Sequence, residues 1–211
     1  MAIEEEIKLT APSSATLDAV AADPLLLACA EQPATPARTF LATYYDTPDR
    51  RLLHHRLAFR LRQEGNGGLR ANLKGTGGMV DGLSRRQEWE ERLALPIQRW
   101  GELPPGALRE QLLAIVAPDD TLTPLFVTDF QRRVVLLQWG ESRAEMALDW
   151  GKIQAGEAVH PLAEVELERK AGPFAPIQAF AAELIHRHAL VPSQRSKFGL
   201  GMSLLGLDGE E

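Results

Sequence analysis

The sequence has few of the features that mark secreted, membrane-bound or thiol-dependent proteins. Cys29 is the only cysteine among its 211 residues, which excludes an internal disulfide and a thiolate metal cage. No apolar run approaches the roughly 20 residues that a membrane span needs. The acidic start of the chain is unlike the basic and then apolar start of a signal peptide. These absences predict a cytoplasmic protein with no membrane partner.

Two common catalytic patterns are missing as well. The glycine clusters do not contain the Gly-x4-Gly-Lys-Ser/Thr pattern of a phosphate-binding loop. His186 and His188 are two residues apart in a predicted helix, so they do not face one ligand. No nucleophile with a neighbouring base stands out.

Positive and negative residues are unevenly distributed along the chain. The net charge of −6 disfavours general binding to nucleic acid. Between Arg50 and Gln87, nine Lys or Arg residues stand against only two acids, Glu64 and Asp81. Acids dominate from residue 149 to residue 168. This separation suits a protein that holds an anion with one part and a cation with another; the alternative is two solvated surfaces of opposite sign.

Hydrophobic periodicity predicts a mainly β chain with a few helices. The predicted strands lie at 2–10, 39–45, 56–63, 69–75, 83–95, 124–139, 143–149, 152–158 and 162–170. A helix that starts at 12–14 should end or be interrupted at Asp23-Pro24, and further helices are predicted at 103–117 and at about 174–189. An Asn-Gly hairpin turn is predicted at 65–68. Gly151 is expected to separate the strands on either side of it.

Several predicted strands carry charged residues at alternate positions, so that these charges share one face. The sets are Glu4-x-Glu6-x-Lys8, Arg60-x-Arg62, Arg86-x-Glu88-x-Glu90 and Glu164-x-Glu166-x-Glu168. An ordinary strand shows such a face to water. However, neighbouring carboxylates repel one another, and a divalent cation would relieve that repulsion. Arginine pairs likewise match phosphate oxygens. The charged faces are therefore predicted to line a closed barrel around a metal–polyphosphate.

These residues occur in an order that resembles the CYTH superfamily, also called triphosphate tunnel metalloenzymes. The matching motifs are Glu4-x-Glu6-x-Lys8, Tyr44-Tyr45-Asp46-Thr47-Pro48, Arg60-x-Arg62, Leu73-Lys74, Arg86-x-Glu88, Thr128-Asp129-Phe130-x-Arg132, Leu148-Asp149-x-Gly151, Glu166-x-Glu168 and Ser196-Lys197. The likeness covers essentially the whole chain and is greatest to the bacterial inorganic triphosphatase branch.

The resemblance implies an α+β, mainly β fold, in which a closed eight-stranded antiparallel β-barrel forms a tunnel and helices pack outside it. It implies a tunnel domain over 1–205 and a tail or linker at 206–211. A helical domain often follows this module in that branch, and the chain stops where such a domain would begin.

The resemblance also implies two sets of ligands inside the tunnel. The residues that would hold phosphates are Lys8, Arg60, Arg62, Lys74, Arg86, Arg132 and Lys197. The residues that would hold Mg²⁺ or Mn²⁺, directly or through water, are Glu4, Glu6, Glu88, Asp149, Glu166 and Glu168. Four of these residues, Lys8, Glu88, Arg132 and Glu168, are expected to act in catalysis. Glu90 matches less closely, and Arg133, Glu145 and Glu164 less closely still, with surface or rim positions as the alternative.

The implied reaction is metal-dependent hydrolysis of tripolyphosphate to pyrophosphate and phosphate inside the charged tunnel. Metal-activated water is expected to attack directly, because no nucleophile–base pair stands out. Thiamine triphosphatase and adenylate cyclase are the alternatives within the family. A non-catalytic polyphosphate-binding module is the alternative from another class, although anion binding would need the arginines and not six acids. An RNA-end triphosphatase is disfavoured by the acidic net charge. Tyr44 and Tyr45 are expected to pack in the core or at the tunnel mouth.

Overall fold

A computed structural model describes residues 2–65, 67–76 and 78–207. The strands of this part of the chain are β1 (Ala2–Thr10), β2 (Arg38–Asp46), β3 (Leu57–Glu64), β4 (Gly68–Gly75), β5 (Leu83–Leu93), β6 (Thr123–Trp139), β7 (Ser142–Ala155), β8 (Ala158–Ala171) and β9 (Val191–Pro192). The helices are α1 (Ser14–Ala21), α2 (Pro24–Cys29), α3 (Arg51–His54), α4 (Ala107–Leu113), α5 (Ala175–His188) and α6 (Lys197–Leu204), with a 3₁₀ turn at Trp100–Glu102. None of the helices in these ranges is long and apolar enough to cross a lipid bilayer.

The first eight strands close into one antiparallel barrel. They follow the order β5-β4-β3-β2-β6-β7-β8-β1, and β1 then pairs with β5 to close the ring. Glu4 lies opposite Arg86 at this closing pair, and Lys8 lies opposite Glu166 on the other side of β1. The two-residue strand β9 extends the pairing at the end of β1. The predicted closed eight-stranded barrel is therefore confirmed.

Two large hydrophobic clusters lie outside the barrel, beneath the helices. On one side, Ile7, Val165 and Leu167 pack against Leu17 of α1 and Phe180 of α5, within a larger cluster formed by the outer faces of β1 and β6–β8. On the opposite side, the outer faces of β3–β5 pack against the 3₁₀ turn and α4. Because β1 and β3–β8 bury apolar faces under helices, their charged faces have only the barrel interior left to occupy.

Helix α6 enters the barrel at one end and fills it with apolar side chains. Its Phe198 and Met202 belong to a cluster with Tyr44, Phe126 and Phe130, which all project inward from β2 and β6. The ring of Tyr44 stacks on that of Phe126 with centroids 4.5 Å apart. The polar part of the interior therefore begins beside the first turn of α6.

The expected break at Gly151 is wrong, because β7 runs without interruption from Ser142 to Ala155. The turn to β8 lies instead at Gly156, whose φ of +58° suits glycine. A Cβ atom on Gly151 would lie 2.2 Å from the carbonyl oxygen of Asp129. Gly151 therefore permits a close approach of two backbones and does not mark a turn.

Other boundaries shift by smaller amounts. The helix predicted at 103–117 is limited to Ala107–Leu113, after the pair Pro104-Pro105, and β5 ends two residues early at Leu93. The central residue of the predicted hairpin turn, Asn66, lies outside the described residues. So do residues 208–211 of the predicted tail.

Candidate active site

A cavity of about 580 Å³ lies inside the barrel and receives side chains from all eight of its strands and from the start of α6. The predicted site residues that line it are Glu4, Glu6, Lys8, Arg60, Arg62, Lys74, Arg86, Glu88, Arg132, Glu166, Glu168 and Lys197. The remaining one, Asp149, is completely buried next to Arg132 and Lys197. The alternation of charges along the strands thus brings all of the predicted residues together.

One wall of the cavity is cationic and belongs mainly to β3. Arg60 donates one hydrogen bond, to the Tyr44 hydroxyl at 3.2 Å, and its Nε atom has no partner among the described residues. Burial alone would lower the pKa of Arg60, but Tyr44 and Glu88 outweigh it and raise that pKa. Burial lowers the pKa of Arg62 and its neighbour Arg60 lowers it further. An anion near this wall would satisfy the donors that remain.

Tyr44 joins this wall to the apolar end of the barrel. Its side chain is buried, and it was expected only to pack. Burial would raise the pKa of Tyr44, but Arg60, Lys197 and Lys74 together leave that pKa below its ordinary value. The hydroxyl therefore lies in a strongly positive environment.

The facing wall carries carboxylates from β1, β5, β7 and β8. Glu4 accepts a hydrogen bond from Lys74 at 2.7 Å, and Glu6 accepts one from Arg86 at 2.9 Å. Glu88 is 3.4 Å from the ammonium of Lys74. These pairs place Glu4, Glu6 and Glu88 within reach of predicted phosphate ligands, whereas Glu168 pairs with Lys170 at 2.8 Å. Binding of a metal or of a phosphate on this side would therefore rearrange existing ion pairs.

Lys197 is the centre of a second, deeper group of charges. Its ammonium lies 2.7 Å from Asp149, 2.7 Å from Glu164 and 2.8 Å from Glu166. The side chain of Ser196 caps α6 by accepting a hydrogen bond from the amide of Gly199, which fixes Lys197 at the first position of the helix. A cation at a helix N-terminus is unfavourable, and the three carboxylates offset that cost.

The deep group of charges is balanced. The Arg132 guanidinium forms two hydrogen bonds of 2.6 Å with Asp149 and a third of 2.6 Å with Glu166, while Lys8 donates to Glu166 at 2.5 Å. Burial alone would raise the pKa of Glu166, but Lys197, Lys8 and Arg132 hold that pKa well below its usual range. Three acids thus meet three bases in this deep group.

The two groups of carboxylates differ as hosts for a divalent cation. Asp149, Glu164 and Glu166 offer oxygens within 4.8 Å of one another, but the Lys197 ammonium already contacts all three of these acids. Burial raises the pKa of Glu168, Lys170 offsets part of that rise, and repulsion from Glu4 and Glu145 adds to it. Lys74 lies 2.7 Å from Glu4, and Lys170 lies 2.8 Å from Glu168 and 3.8 Å from Glu145, so two ammonium groups meet three carboxylates here. The remaining negative charge fits a hard divalent cation, which prefers carboxylate oxygens.

Several lining residues were missed or assigned differently from sequence. Arg38, Glu64, Arg70 and Lys170 line the cavity although they were not predicted to do so. Arg70 has the same strand phase as Lys74, so alternation alone indicates its position, whereas Arg38 was placed before the predicted start of its strand.

The four residues that match the family motifs less closely lie partly inside and partly outside the barrel. Glu145 and Glu90 line the cavity, and Glu164 is buried beside Lys197. Arg133 lies on the outer face, where it contacts Asp18 at 3.0 Å. The surface interpretation is therefore confirmed for Arg133 and wrong for Glu164.

A closed barrel with opposed cationic and anionic walls around a polar cavity defines the class of protein. The family model of the CYTH domain matches residues 2–197, so the chain belongs to the CYTH family.

Among its relatives is an inorganic triphosphatase from Haemophilus influenzae, which is 36% identical over 163 residues. The match covers 77% of this chain and 45% of that protein, so the chain spans about half the length of this relative.

Solved structures share the fold at low sequence identity. An adenylyl cyclase candidate from Hippeastrum, described as having a dominant triphosphatase activity, aligns with a TM-score of 0.69 at 18% identity and covers 95% of each chain. A protein from Pyrococcus horikoshii OT3 aligns with a TM-score of 0.58 at 14% identity, over 94% of this chain and 98% of that one.

Proposed function

We propose that the protein hydrolyses inorganic triphosphate to pyrophosphate and phosphate inside the barrel. The observation that carries this proposal is the cavity itself, where a cationic wall with unsatisfied buried donors faces a wall of carboxylates. A linear triphosphate matches the cationic wall, and a divalent cation matches the carboxylates. The likeness to an inorganic triphosphatase at 36% identity supports the same reaction.

Each wall then has a distinct task. Arg60, Arg62, Lys74 and Arg86 would bind and orient the phosphates, and Lys197 would complete this set from the start of α6. Lys8 and Arg132 lie next to Glu166 and would stabilise the charge that develops on the transferred phosphoryl group. A water molecule attacks that group, the phosphoanhydride bond breaks, and pyrophosphate leaves.

The carboxylates of β1, β5 and β8 would hold Mg²⁺ or Mn²⁺, with Glu4, Glu6, Glu88 and Glu168 as the ligands. When bound, such an ion neutralises phosphate charge and makes water a better nucleophile at neutral pH. Asp149 and Glu166 were predicted to belong to the same ligand set. Both of these carboxylates contact Lys197 and Arg132, and we propose that they position these two cations for the phosphates.

The location and the partners of the protein belong to the same proposal. A cytoplasmic location, a small polyphosphate as the partner, no partnership with nucleic acid, and a helical domain beyond this chain in the full-length protein all stay predictions. Thiamine triphosphatase and adenylate cyclase remain the alternative activities, and each requires space for an organic group beside the phosphates.

The test is phosphate release from tripolyphosphate, ATP, thiamine triphosphate and pyrophosphate, each with Mg²⁺, with Mn²⁺ and with EDTA. We expect rapid release from tripolyphosphate with either metal, little from ATP, and none in EDTA. Preference for an organic triphosphate would replace the proposed substrate. Binding of tripolyphosphate without release from any compound would leave a polyphosphate-binding module.

A further inference from the structure

A row of arginines leads from the cavity to its rim. In the antiparallel pairing, Arg62 lies directly opposite Arg70, and Arg70 lies directly opposite Arg92. Residues that face each other in this way project from the same side of the sheet. The three guanidinium groups therefore follow one another across β3, β4 and β5 on the inner face of the barrel.

Direct opposition of like charges destabilises a sheet, so the row needs negative charge nearby. Glu64 and Glu90 supply part of it, because both contact Arg62 and Arg70. Arg92 forms no ion pair with any residue in the described part of the chain, and its side chain is exposed. Positive charge therefore remains uncompensated at the outer end of the row.

A second cavity of about 820 Å³ lies at this outer end. It shares Arg38, Phe40, Glu64 and Arg70 with the interior cavity, and Arg92 lines only the outer one. Arg38 is exposed, lies opposite Arg132 on β6, and has no carboxylate partner among the described residues. The interior cavity thus opens into a rim groove defined by Arg38, Arg70 and Arg92.

We propose that this rim groove binds the further phosphates of a linear polyphosphate whose end lies in the barrel. The inference rests on the proposed function, which places three phosphates inside. Phosphates beyond the third would continue past Arg62 and Arg70 to Arg92 and Arg38. The protein would therefore bind chains longer than tripolyphosphate more tightly than tripolyphosphate itself.

Arg92→Gln is the variant that tests this groove, and Arg85→Gln is its matched control. Both substitutions remove one positive charge from an exposed position of β5, but Arg85 lies on the outer face, where it pairs with Glu5 at 3.3 Å. Binding of tripolyphosphate and of a linear polyphosphate several times longer would be measured by calorimetry in EDTA. Under that condition a metal-dependent hydrolase does not turn over, so binding can be read without hydrolysis.

We expect Arg92→Gln to lower the affinity for the longer polyphosphate about three- to fivefold, which is the scale of one exposed ion pair. The affinity for tripolyphosphate should change less than twofold. The salt dependence for the longer chain should also become shallower, because fewer ions are displaced. Arg85→Gln should change neither ligand. Equal losses for both ligands, no loss for either, or equal effects of the two variants would overturn the proposal.

Two further measurements distinguish polyphosphate binding in the rim groove from nucleic-acid binding and from the proposed hydrolysis. A 5′-triphosphorylated oligonucleotide that bound better than the longer polyphosphate, with the same dependence on Arg92, would overturn the assignment to polyphosphate. If the protein released no phosphate from tripolyphosphate while the chain-length effect of Arg92→Gln persisted, the proposed hydrolysis would fail and the rim groove would stand.

Discussion

Lys197 explains why acidic residues gather so deep in the barrel. Its ammonium contacts Asp149, Glu164 and Glu166, and each of these carboxylates is buried. Burial would lower the pKa of Lys197, but these acids hold that pKa well above its usual range. A buried charge is tolerated only when it is paired, so the cluster and the lysine require each other.

Lys197→Met should therefore be strongly destabilising. The substitution keeps the volume of the side chain but leaves three buried carboxylates with fewer cations, and removal of one partner from a buried ion pair costs about 3 to 5 kcal/mol. The free energy of unfolding in urea at pH 7 would measure this. Lys152→Met, which removes an exposed lysine from β7, is the control. Equal stabilities of the two variants would contradict the proposed role.

Sequence alone could assign these residues to a face, but it could not identify their partners. The alternation of Glu164, Glu166 and Glu168 in β8 correctly predicts that they share the inner face. Which of them meets a lysine depends on the docking of α6, which is distant in the chain. For this reason the pattern predicted metal contacts for Asp149 and Glu166 but not their contacts with Lys197, and it left a surface or rim position open as the alternative for Glu164.

At the scale of elements, α6 links the packing of the barrel to its charge. The helix places Lys197 at its start, and its apolar side chains fill one end of the barrel. Its close fit depends on Gly201, where a Cβ atom would lie 2.2 Å from Cε2 of Phe126. A short apolar segment with a Ser-Lys start could be recognised from sequence, but its position inside the barrel could not.

Gly201→Ala tests whether the fit of α6 against Phe126 matters more for stability than the helix propensity of the residue at this position. Alanine favours a helix over glycine by about 1 kcal/mol, whereas overpacking costs about 1 to 3 kcal/mol. We expect the clash to dominate, with a lower free energy of unfolding and weaker tripolyphosphate binding through a displaced Lys197. Gly68→Ala, where the nearest atom to a new Cβ is 3.8 Å away, is the control. A more stable Gly201→Ala variant would show that α6 does not fit as described.

Asp23 connects α2 to α5 outside the barrel. It caps α2 by accepting a hydrogen bond from the amide of Leu25 at 2.7 Å, and it accepts further bonds from Arg187 at 2.7 and 3.1 Å. Nε2 of His188 lies 2.6 Å from the same carboxylate. The Arg187 hydrogen bonds are the main cause that lowers the pKa of Asp23 from 3.8 to about 2.

The lowered pKa makes part of the stability depend on pH. Asp23 contributes stability above pH 3.8, and this contribution is lost as the pH falls towards 2. Arg187 is partly exposed to solvent, which weakens its interaction with Asp23. We therefore expect the free energy of unfolding at pH 7 to be about 1 to 2 kcal/mol higher for the wild type than for Asp23→Asn. Urea unfolding should show a smaller gap at pH 3. Asp119→Asn, at an exposed site, should show no such change, and a constant gap for Asp23→Asn would refute the assignment.

At the scale of the whole molecule, the barrel has its charges inside and two large apolar clusters outside, while a third cluster around α6 fills one end of the interior. Strands with one apolar and one charged face are compatible with an ordinary sandwich, and local pattern alone does not choose between the two. Helices on the outer faces of β1 and β3–β8 resolve the choice, because they cover the apolar faces. The fold and the lining residues followed from alternation and family resemblance, whereas the ion pairs that divide the two acidic groups required the three-dimensional arrangement.

The most direct test of the account is the substitution Glu168→Gln, measured as tripolyphosphate turnover and tripolyphosphate affinity in parallel. Glu168 lies on the anionic wall, in the group with excess negative charge. We predict that turnover with Mg²⁺ falls at least about 100-fold, a loss of roughly 3 kcal/mol in transition-state stabilisation. Affinity in EDTA should be kept or improved, because the substitution removes a negative charge near a polyanion. Undiminished turnover, or loss of affinity together with turnover, would contradict the division of the cavity into a metal-binding and a phosphate-binding wall.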